Sequence, residues 1–199
     1  MGRPSLATER REQILDAVTQ CIGEYGIDGT TLERVAEVSG FSRGHIRHYL
    51  GNRDDMLAQF QQRLSTRYVQ RMRDISEATE PGQRGAALVR LLFGKEWGPG
   101  LDSAAINALF WAAARDENVR AGLRATYMAM ERTVARELRT DYPDAPAAEC
   151  ASAAYALLCL AFGHSTLLEL SYPAARQRAA NAIAQQMLER LASYQRAAT

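Results

Sequence analysis

The sequence is short of lysine, cysteine and net charge. Its 24 basic residues include one lysine, Lys95, and its 23 acidic residues leave a formal net charge of +1 over 199 residues. This balance excludes a polybasic coat that would hold nucleic acid by charge alone. Three cysteines (Cys21, Cys150 and Cys159) fit neither a disulfide framework nor a four-ligand zinc site. With 47% hydrophobic and 24% charged residues, the composition is that of a folded globular protein.

The first residues contain no apolar run of signal-peptide length, which favours a cytoplasmic protein. A long apolar run occurs later, over residues 151–170, but it is rich in alanine and includes His164 and Glu169. We interpret it as a helix buried in a soluble bundle, and we expect no membrane partner.

Apolar residues recur every three or four positions along most of the chain, and no strand-like alternation of useful length occurs. Glycine and proline separate the helical stretches, and Thr30 with Glu33 predicts a capping box at the start of the second helix. The predicted helices are 9–25, 31–38, 43–50, 53–75, 83–93, 103–113, 118–138, 147–170 and 174–194. The sequence therefore predicts an all-α fold.

The first three helices are short and follow one another within about 45 residues, with Gly40 in the second turn. These proportions are typical of a helix-turn-helix DNA-binding unit. We therefore predict an N-terminal helix-turn-helix DNA-binding domain over residues 1–55 and a C-terminal helical domain over residues 56–199.

The third helix is amphipathic, and Ile46 and Leu50 lie on the side that would face the core together with Phe41. Its other side offers hydrogen-bond donors suited to bases and phosphates. The residues on that side are Arg43, Gly44, His45, Arg47, His48 and Tyr49. Gly44 costs about 1 kcal/mol relative to alanine in a helix. A position without a side chain lets another molecule approach the backbone closely, as a DNA groove requires.

The predicted DNA-binding region is not basic overall, since residues 1–55 contain seven arginines and nine acids, a net charge of −2. Affinity for DNA must therefore come from where the arginines are placed. Because salt dependence follows the number of phosphates neutralised, we expect a moderate dependence of binding on salt.

Several short motifs follow one another without gaps from about residue 10 to residue 60. They are Gln13-Ile14-Leu15-Asp16-Ala17, Tyr25-Gly26, Thr30-Thr31-Leu32, Val35-Ala36, Ser39-Gly40-Phe41-Ser42-Arg43-Gly44 and His48-Tyr49-Leu50-Gly51-Asn52-Arg53. In these motifs the chain resembles the DNA-binding half of the TetR (tetracycline-repressor) family of bacterial regulators. The resemblance implies an all-helical homodimer with a C-terminal ligand chamber, in which ligand relieves repression.

The resemblance also implies roles for individual residues. Those implied to approach bases are Ser42, Arg43, Gly44 and His45. Those implied to hold phosphates are Thr30 or Thr31, His48, Tyr49 and Arg53. Arg47 stands where the family often has tyrosine, and it would either hold a phosphate or read guanine. Arg53 stands where lysine is common.

Aromatic and methionine side chains are concentrated on the middle helices, where they form either plain core or a cavity for an apolar or cationic ligand. The candidate ligand-binding residues are Phe93, Trp97, Phe110, Trp111, Tyr127, Met128, Tyr155 and Phe162. The last two helices are rich in alanine, which lets helices approach closely, so two copies could form a four-helix interface. The candidate interface residues are Leu157, Leu160, Leu167, Ile183, Leu188 and Leu191.

These observations together predict a ligand-responsive transcriptional regulator. We expect a repressor that binds a palindromic double-stranded DNA operator as a homodimer and is released by a small-molecule effector. An activator, or a helical ligand-binding or interaction module without specific DNA binding, remains an alternative. We expect no enzyme and no cofactor, because the sequence shows no glycine-rich phosphate loop, nucleophile elbow or Cys/His pairing. We also expect no metal site, because His45 and His48 have metal-binding spacing but no obvious third ligand.

Overall fold

The computed structural model describes residues 6–94, 97, 101–171 and 173–198, and the regular structure within these ranges is helical. Over this part of the chain the helices are α1 (Leu6–Gly29), α2 (Leu32–Ser39), α3 (Arg43–Leu50), α4 (Arg53–Glu77), α5 (Arg84–Leu92), α6 (Leu101–Ala113), α7 (Glu117–Asp141), α8 (Ala147–Glu169) and α9 (Ala174–Ala198). The predicted all-α fold is confirmed, and the predicted helices differ from these mainly by a few residues at their ends.

Glycines shape the turns between the first helices. Gly26 has φ 70° and ψ 178°, which bends α1 before a last turn that reaches Gly29. Gly40 ends α2 in the left-handed conformation with φ 72°, and its N–H donates to the carbonyl oxygen of Ala36. Residues with a side chain rarely adopt a positive φ, which explains why glycine occupies both positions.

The caps of α2 and α3 are held by hydroxyl groups. Ser42 caps α3 as predicted, since its Oγ accepts a hydrogen bond from the N–H of His45 at 3.2 Å. The capping box predicted at Thr30 and Glu33 is wrong, because the N-cap of α2 is Thr31, whose Oγ1 accepts from the N–H of Arg34 at 3.2 Å. The Thr30 hydroxyl instead donates to the carbonyl oxygen of Gly26 at 2.8 Å, at the bend in α1.

Contacts along the backbone divide the chain into two compact units. The first unit is Met1–Leu64 with Gly100–Thr126, and the second unit is Ser65–Pro99 with Tyr127–Thr199. Helices α4 and α7 each contribute residues to both units. The predicted division after residue 55 separates functions rather than packing units, and it stays a prediction.

The first unit buries the apolar faces of its short helices. Ile14, Val18 and Ile22 of α1 have no solvent exposure, and neither do Ile46 and Leu50 of α3. Helix α1 also packs against α2 and α6. The core side predicted for α3 is therefore confirmed, and the opposite side of this helix is left to solvent.

A buried guanidinium joins α4 to α1 in the first unit. The side chain of Arg63 is only 8% exposed. Its Nη2 donates to Oδ1 of Asp16 at 2.8 Å and to Oγ1 of Thr19 at 3.2 Å, while its Nη1 donates to the carbonyl oxygen of Glu12 at 3.2 Å. Nη1 also lies 3.4 Å from Oε2 of Glu12, so the carboxylates of Asp16 and Glu12 together compensate the charge that burial would otherwise make costly.

In the second unit a buried carboxylate accepts hydrogen bonds from the backbone at the start of α5 and in the loop before it. Asp141, buried at the end of α7, accepts hydrogen bonds from the N–H groups of Gly82 and Gly85, both at 2.7 Å. A negative group at a helix N-terminus satisfies free donors and interacts favourably with the helix dipole. The neighbouring buried carboxylate, Glu137, accepts from Arg84 Nη1 at 3.0 Å.

Helix α8 is long and apolar enough to span a membrane by length and composition alone. A core helix passes the same test, and Cys150, Ala154, Leu157 and Ala161 of α8 belong to the buried cluster of the second unit. Burial on all sides is not observed, however, because Tyr155 and Cys159 are exposed. The apolar composition of α8 is therefore only partly explained by the core.

Candidate nucleic-acid interface

Helix α3 presents a polar face to solvent. Arg43, Gly44, His45, Arg47 and His48 are exposed, and Tyr49 is half-buried. These are the residues that the sequence placed on the outer side of the helix. A Ser42 cap and a core anchored by Ile46 and Leu50 hold this face in a fixed orientation within the first unit.

Nothing within the described part of the protein requires glycine at position 44. A Cβ built there would meet one side-chain atom, Ser42 Oγ, at 3.8 Å, which is ordinary van der Waals contact. Gly44 has no positive φ, so an alanine would adopt the same conformation without strain. The cost of glycine in this helix is therefore not explained by packing inside the protein.

The first turn of α3 is organised by Ser42 and His45. The Ser42 hydroxyl lies 3.0 Å from His45 Nδ1 and also caps the helix, so it is already engaged in the free protein. The ring of His45 packs edge-on against Phe41, with 6.4 Å between centroids. These contacts restrict His45 and leave its Nε2 without a hydrogen bond to any described residue.

An ion pair joins the exposed polar face of α3 to α2. Arg43 Nε lies 2.7 Å from Glu33 Oε1, and the two side chains are 63% and 56% exposed. Glu33 was predicted to belong to a capping box, and its contact with Arg43 was not predicted. The sequence positions of Glu33 and Arg43 could have indicated the contact, because the first turn of α2 and the start of α3 lie close together in a tight helix-turn-helix.

The residues implied to hold phosphates are placed in different environments. Thr30 is fully buried, and Arg53 donates from Nη2 to the carbonyl oxygen of Ile27 at 2.6 Å and from Nε to that of Thr30 at 3.1 Å. Both residues thus serve the turn between α1 and α2. Thr31 caps α2, and the rings of His48 and Tyr49 pack edge-to-face with centroids 5.1 Å apart.

The comparisons with known proteins concentrate on this same region. Residues 14–60 match the family model described as bacterial regulatory proteins, tetR family. The transcriptional repressor AcnR of Corynebacterium jeikeium is 44% identical over 48 residues, which are 24% of this chain and 25% of that protein. Residues 14–60 are therefore a helix-turn-helix unit of the TetR type. The aligned region spans about a quarter of this relative's length, so the likeness concerns the helix-turn-helix unit.

Solved structures extend the likeness of fold to nearly the whole chain. A putative transcriptional regulator from Pseudomonas aeruginosa has a TM-score of 0.77 at 19% identity, with 94% of this chain and 93% of that chain covered. A TetR transcription regulator from Haloarcula marismortui has a TM-score of 0.75 at 22% identity, with 91% and 97% covered. The fold is therefore a helix-turn-helix unit followed by a helical C-terminal region.

The second unit brings together some of the predicted ligand-binding residues. Residues 162–165 of α8 are the common partners, because Phe162 packs against Tyr127, His164 against Phe93, and the Ser165 hydroxyl lies 3.4 Å from the carbonyl oxygen of Trp97. Tyr68 packs edge-on against Trp97 with 4.8 Å between centroids. Tyr68, His164 and Ser165 were not predicted, although Tyr68 lies on the apolar stripe of α4.

The other predicted ligand-binding residues are directed elsewhere. Trp111 is 81% exposed, and Phe110, Met128 and Tyr155 are also exposed. Phe110 and Trp111 moreover belong to the first unit. Helical spacing alone did not separate these surface positions from the aromatic cluster of the second unit.

Burial keeps the ionisable groups of the aromatic cluster uncharged. It raises the pKa of the Tyr127 phenol well above its ordinary value of 10, with smaller contributions from Tyr68 and Cys159. It lowers the pKa of the His164 imidazole from its ordinary value of 6.5. At neutral pH both groups therefore favour their neutral forms.

The residues predicted for a dimer interface divide into two groups. Leu157, Leu188 and Leu191 lie in the protomer's own core, so they are not available to a second copy. Leu167 and Ile183 are exposed, and Leu160 and Leu167 line an open groove of about 330 Å³ between α8 and α9. The three core leucines are thus corrected to structural residues, and the exposed positions remain candidates.

No group of three or more metal-ligating side chains occurs among residues 6–94, 97, 101–171 and 173–198.

Proposed function

We propose that this protein is a TetR-family transcriptional repressor that binds a palindromic DNA operator as a homodimer and is released by a small-molecule effector. The proposal rests on the exposed face of α3. No contact within the described protein explains glycine at position 44. The missing side chain would, however, let the backbone of α3 approach the floor of a DNA groove closely. The mechanism is one of binding in the cytoplasm, without catalysis or a cofactor.

The charges of the first unit support this role for α3. Arg43 and Arg47 lie on the exposed face, whereas Arg63 is buried among acids and Arg53 is bound to carbonyl oxygens. Among the described residues of the helix-turn-helix, we assign Arg43 and Arg47 of α3 to DNA. We infer that shape and base contacts provide much of the specificity, and that few phosphates are neutralised.

The dimer follows from the exposed apolar side of the last two helices. Tyr155, Leu167 and Ile183 are exposed on α8 and α9, although neighbouring residues of these helices are apolar core. A symmetric pairing of this surface with a second copy would cover it and would place two α3 helices on two half-sites.

The effector would act through the aromatic cluster of the second unit. Helix α4 contributes Tyr68 to this cluster and begins at Arg53, directly after the helix-turn-helix. A ligand shifts the position of α4 only if it binds the two arrangements with different affinity. The neutral aromatic rings suit an apolar or cationic compound rather than an anion.

Substitution Gly44→Ala tests the function while leaving the fold intact. We expect the variant to unfold at the same or a slightly higher temperature, because alanine favours helix and meets no close neighbour. We expect its affinity for an operator selected from a random DNA pool to fall at least about tenfold, by roughly 1.4 kcal/mol, since the added methyl blocks close approach. Unchanged affinity would contradict this placement of α3.

The oligomeric state is tested separately by Ile183→Arg, which places a charge on the exposed α9 surface. We expect sedimentation to show a dimer for the wild type and a monomer for the variant. Leu6→Arg, at an exposed apolar residue of α1, serves as the control and should remain a dimer. Absence of sequence-selective DNA binding by the purified dimer would favour the alternative of an interaction module, and transcription assays would distinguish a repressor from an activator.

A further inference from the structure

The ion pair between Glu33 and Arg43 leaves one edge of the guanidinium open. Glu33 forms an ion pair with Arg43, and its Oε1 lies 2.7 Å from Arg43 Nε. The two terminal amino groups, Nη1 and Nη2, make no hydrogen bond to another residue in the described ranges. They form the parallel pair of donors that matches the O6 and N7 acceptors of guanine in the major groove.

Glu33 has no competing role in α2. Thr31 provides the cap of this helix, and Glu33 lies in the first turn with its carboxylate directed to Arg43. A carboxylate in the first turn is favoured by the helix dipole, so Glu33 is stable where it stands. Arg47 lies one turn further along α3 and has no such partner within the described residues, which leaves its long side chain free to follow a phosphate.

We propose that Glu33 is a positioning residue for DNA recognition: it holds Arg43 by Nε so that Nη1 and Nη2 read a guanine in each half-site of the operator. This inference rests on the proposed function, because it concerns the same face of α3. It adds a base preference and a residue on α2 that contacts no DNA base itself.

Electrostatics gives the pair a distinctive signature. A carboxylate beside DNA phosphates is repelled unless a cation neutralises it. Replacing Arg43 alone therefore removes the guanine contact and also leaves Glu33 unpaired against the duplex. Replacing both residues removes the contact without the unpaired charge, so the double variant should bind DNA better than the Arg43 variant.

The experiment compares full-length wild type, Glu33→Ala, Glu33→Gln, Arg43→Ala and the double variant Glu33→Ala/Arg43→Ala. Each is used to select fragments from a randomised DNA pool and is then titrated with the selected operator and with single-base changes. Thermal unfolding checks that each variant is folded. Both positions are exposed, so we expect all variants to fold.

We expect wild type to prefer guanine at one symmetric position by about 5- to 150-fold, the range of a bidentate contact. Arg43→Ala should abolish this preference, and Glu33→Ala should reduce it several-fold at that position alone. Glu33→Gln should retain more of the preference than Glu33→Ala, because its amide dipole still attracts the guanidinium although it lacks the charge of the ion pair. The double variant should bind the operator more tightly than Arg43→Ala.

Two results would overturn the inference while the proposed function stands. One is specific binding in which Glu33→Ala leaves the guanine preference intact, even if affinity for all sequences rises. The other is a double variant that binds no better than Arg43→Ala. If wild type selects no sequence at all, the proposed function fails together with the inference.

Discussion

Arg53, the first residue of α4, donates a hydrogen bond from Nη2 to the carbonyl oxygen of Ile27 at 2.6 Å. Its Nε donates to the carbonyl oxygen of Thr30 at 3.1 Å. These carbonyl groups lie at the end of α1 and in the turn that follows, and the Ile27 carbonyl also accepts from the N–H of Thr30 at 3.2 Å. Arg53 therefore ties the start of α4 to the α1–α2 turn. In the free protein its guanidinium, which the family resemblance assigned to a phosphate, is bound to these backbone carbonyl groups.

Replacing Arg53 should weaken the helix-turn-helix unit. We expect Arg53→Ala to lower the free energy of unfolding by about 1–3 kcal/mol, because two carbonyl groups lose a charged donor. Arg53→Lys should recover only part of this loss, since an ammonium group lacks the planar fork that reaches both oxygens. Urea unfolding measures the effect, and Arg47→Ala, at an exposed residue of the same unit, is the control with little expected change.

The buried guanidinium of Arg63 should contribute more than a surface ion pair. We expect Arg63→Ala to destabilise the protein by about 2–4 kcal/mol, since it leaves a cavity and removes the buried donor to Thr19 and Asp16. The loss is limited because Asp16 and Glu12 stay solvated. Arg73→Ala, at an exposed arginine of the same helix, should change the unfolding midpoint little; equal effects for the two variants would contradict a structural role for Arg63.

Both carboxylate oxygens of Asp141 accept a backbone hydrogen bond, so an amide of the same shape cannot replace the carboxylate. Asp141→Asn keeps the shape but replaces one acceptor with an amide NH₂, which faces the N–H of Gly82 or Gly85. We expect a loss of about 1–3 kcal/mol, because a buried donor is left without an acceptor. Asp144→Asn, at an exposed position three residues away, provides the comparison in thermal unfolding, where it should behave like wild type.

Acidification should destabilise the second unit through His164. Burial lowers the pKa of this imidazole in the folded protein, whereas the unfolded chain has the ordinary value of about 6.5. As pH falls below about 6.5, the unfolded state therefore binds a proton before the folded state does, and stability is lost until the lower, folded-state pKa is passed.

The measurement is the unfolding temperature of wild type and His164→Gln between pH 7.5 and pH 5. Wild type should lose stability more steeply over the acidic part of this range. His48→Gln, at an exposed histidine of α3, is the control and should keep the steeper profile of wild type. Parallel profiles for wild type and His164→Gln would show that this histidine is not the group responsible.

Sequence alone located the helices and the outer face of α3. These features depend on local properties: glycines that adopt left-handed conformations, a Ser42 hydroxyl three residues before the N–H it caps, and apolar residues at helical spacing. The exposed positions of Arg43, Gly44, His45 and Arg47 follow from the burial of Ile46 and Leu50 on the other side of the same helix. Periodicity fixes both sides at once.

Only the tertiary structure decided what the polar side chains contact. Arg53 and Ile27 are 26 residues apart in sequence, and Arg63 and Asp16 are 47 apart, so no local pattern indicates that either pair meets. The same holds for Leu157, Leu188 and Leu191, whose apolar character suits a protomer core and a dimer interface equally well. Periodicity gives a helix its apolar face, but the packing of distant helices determines what covers that face.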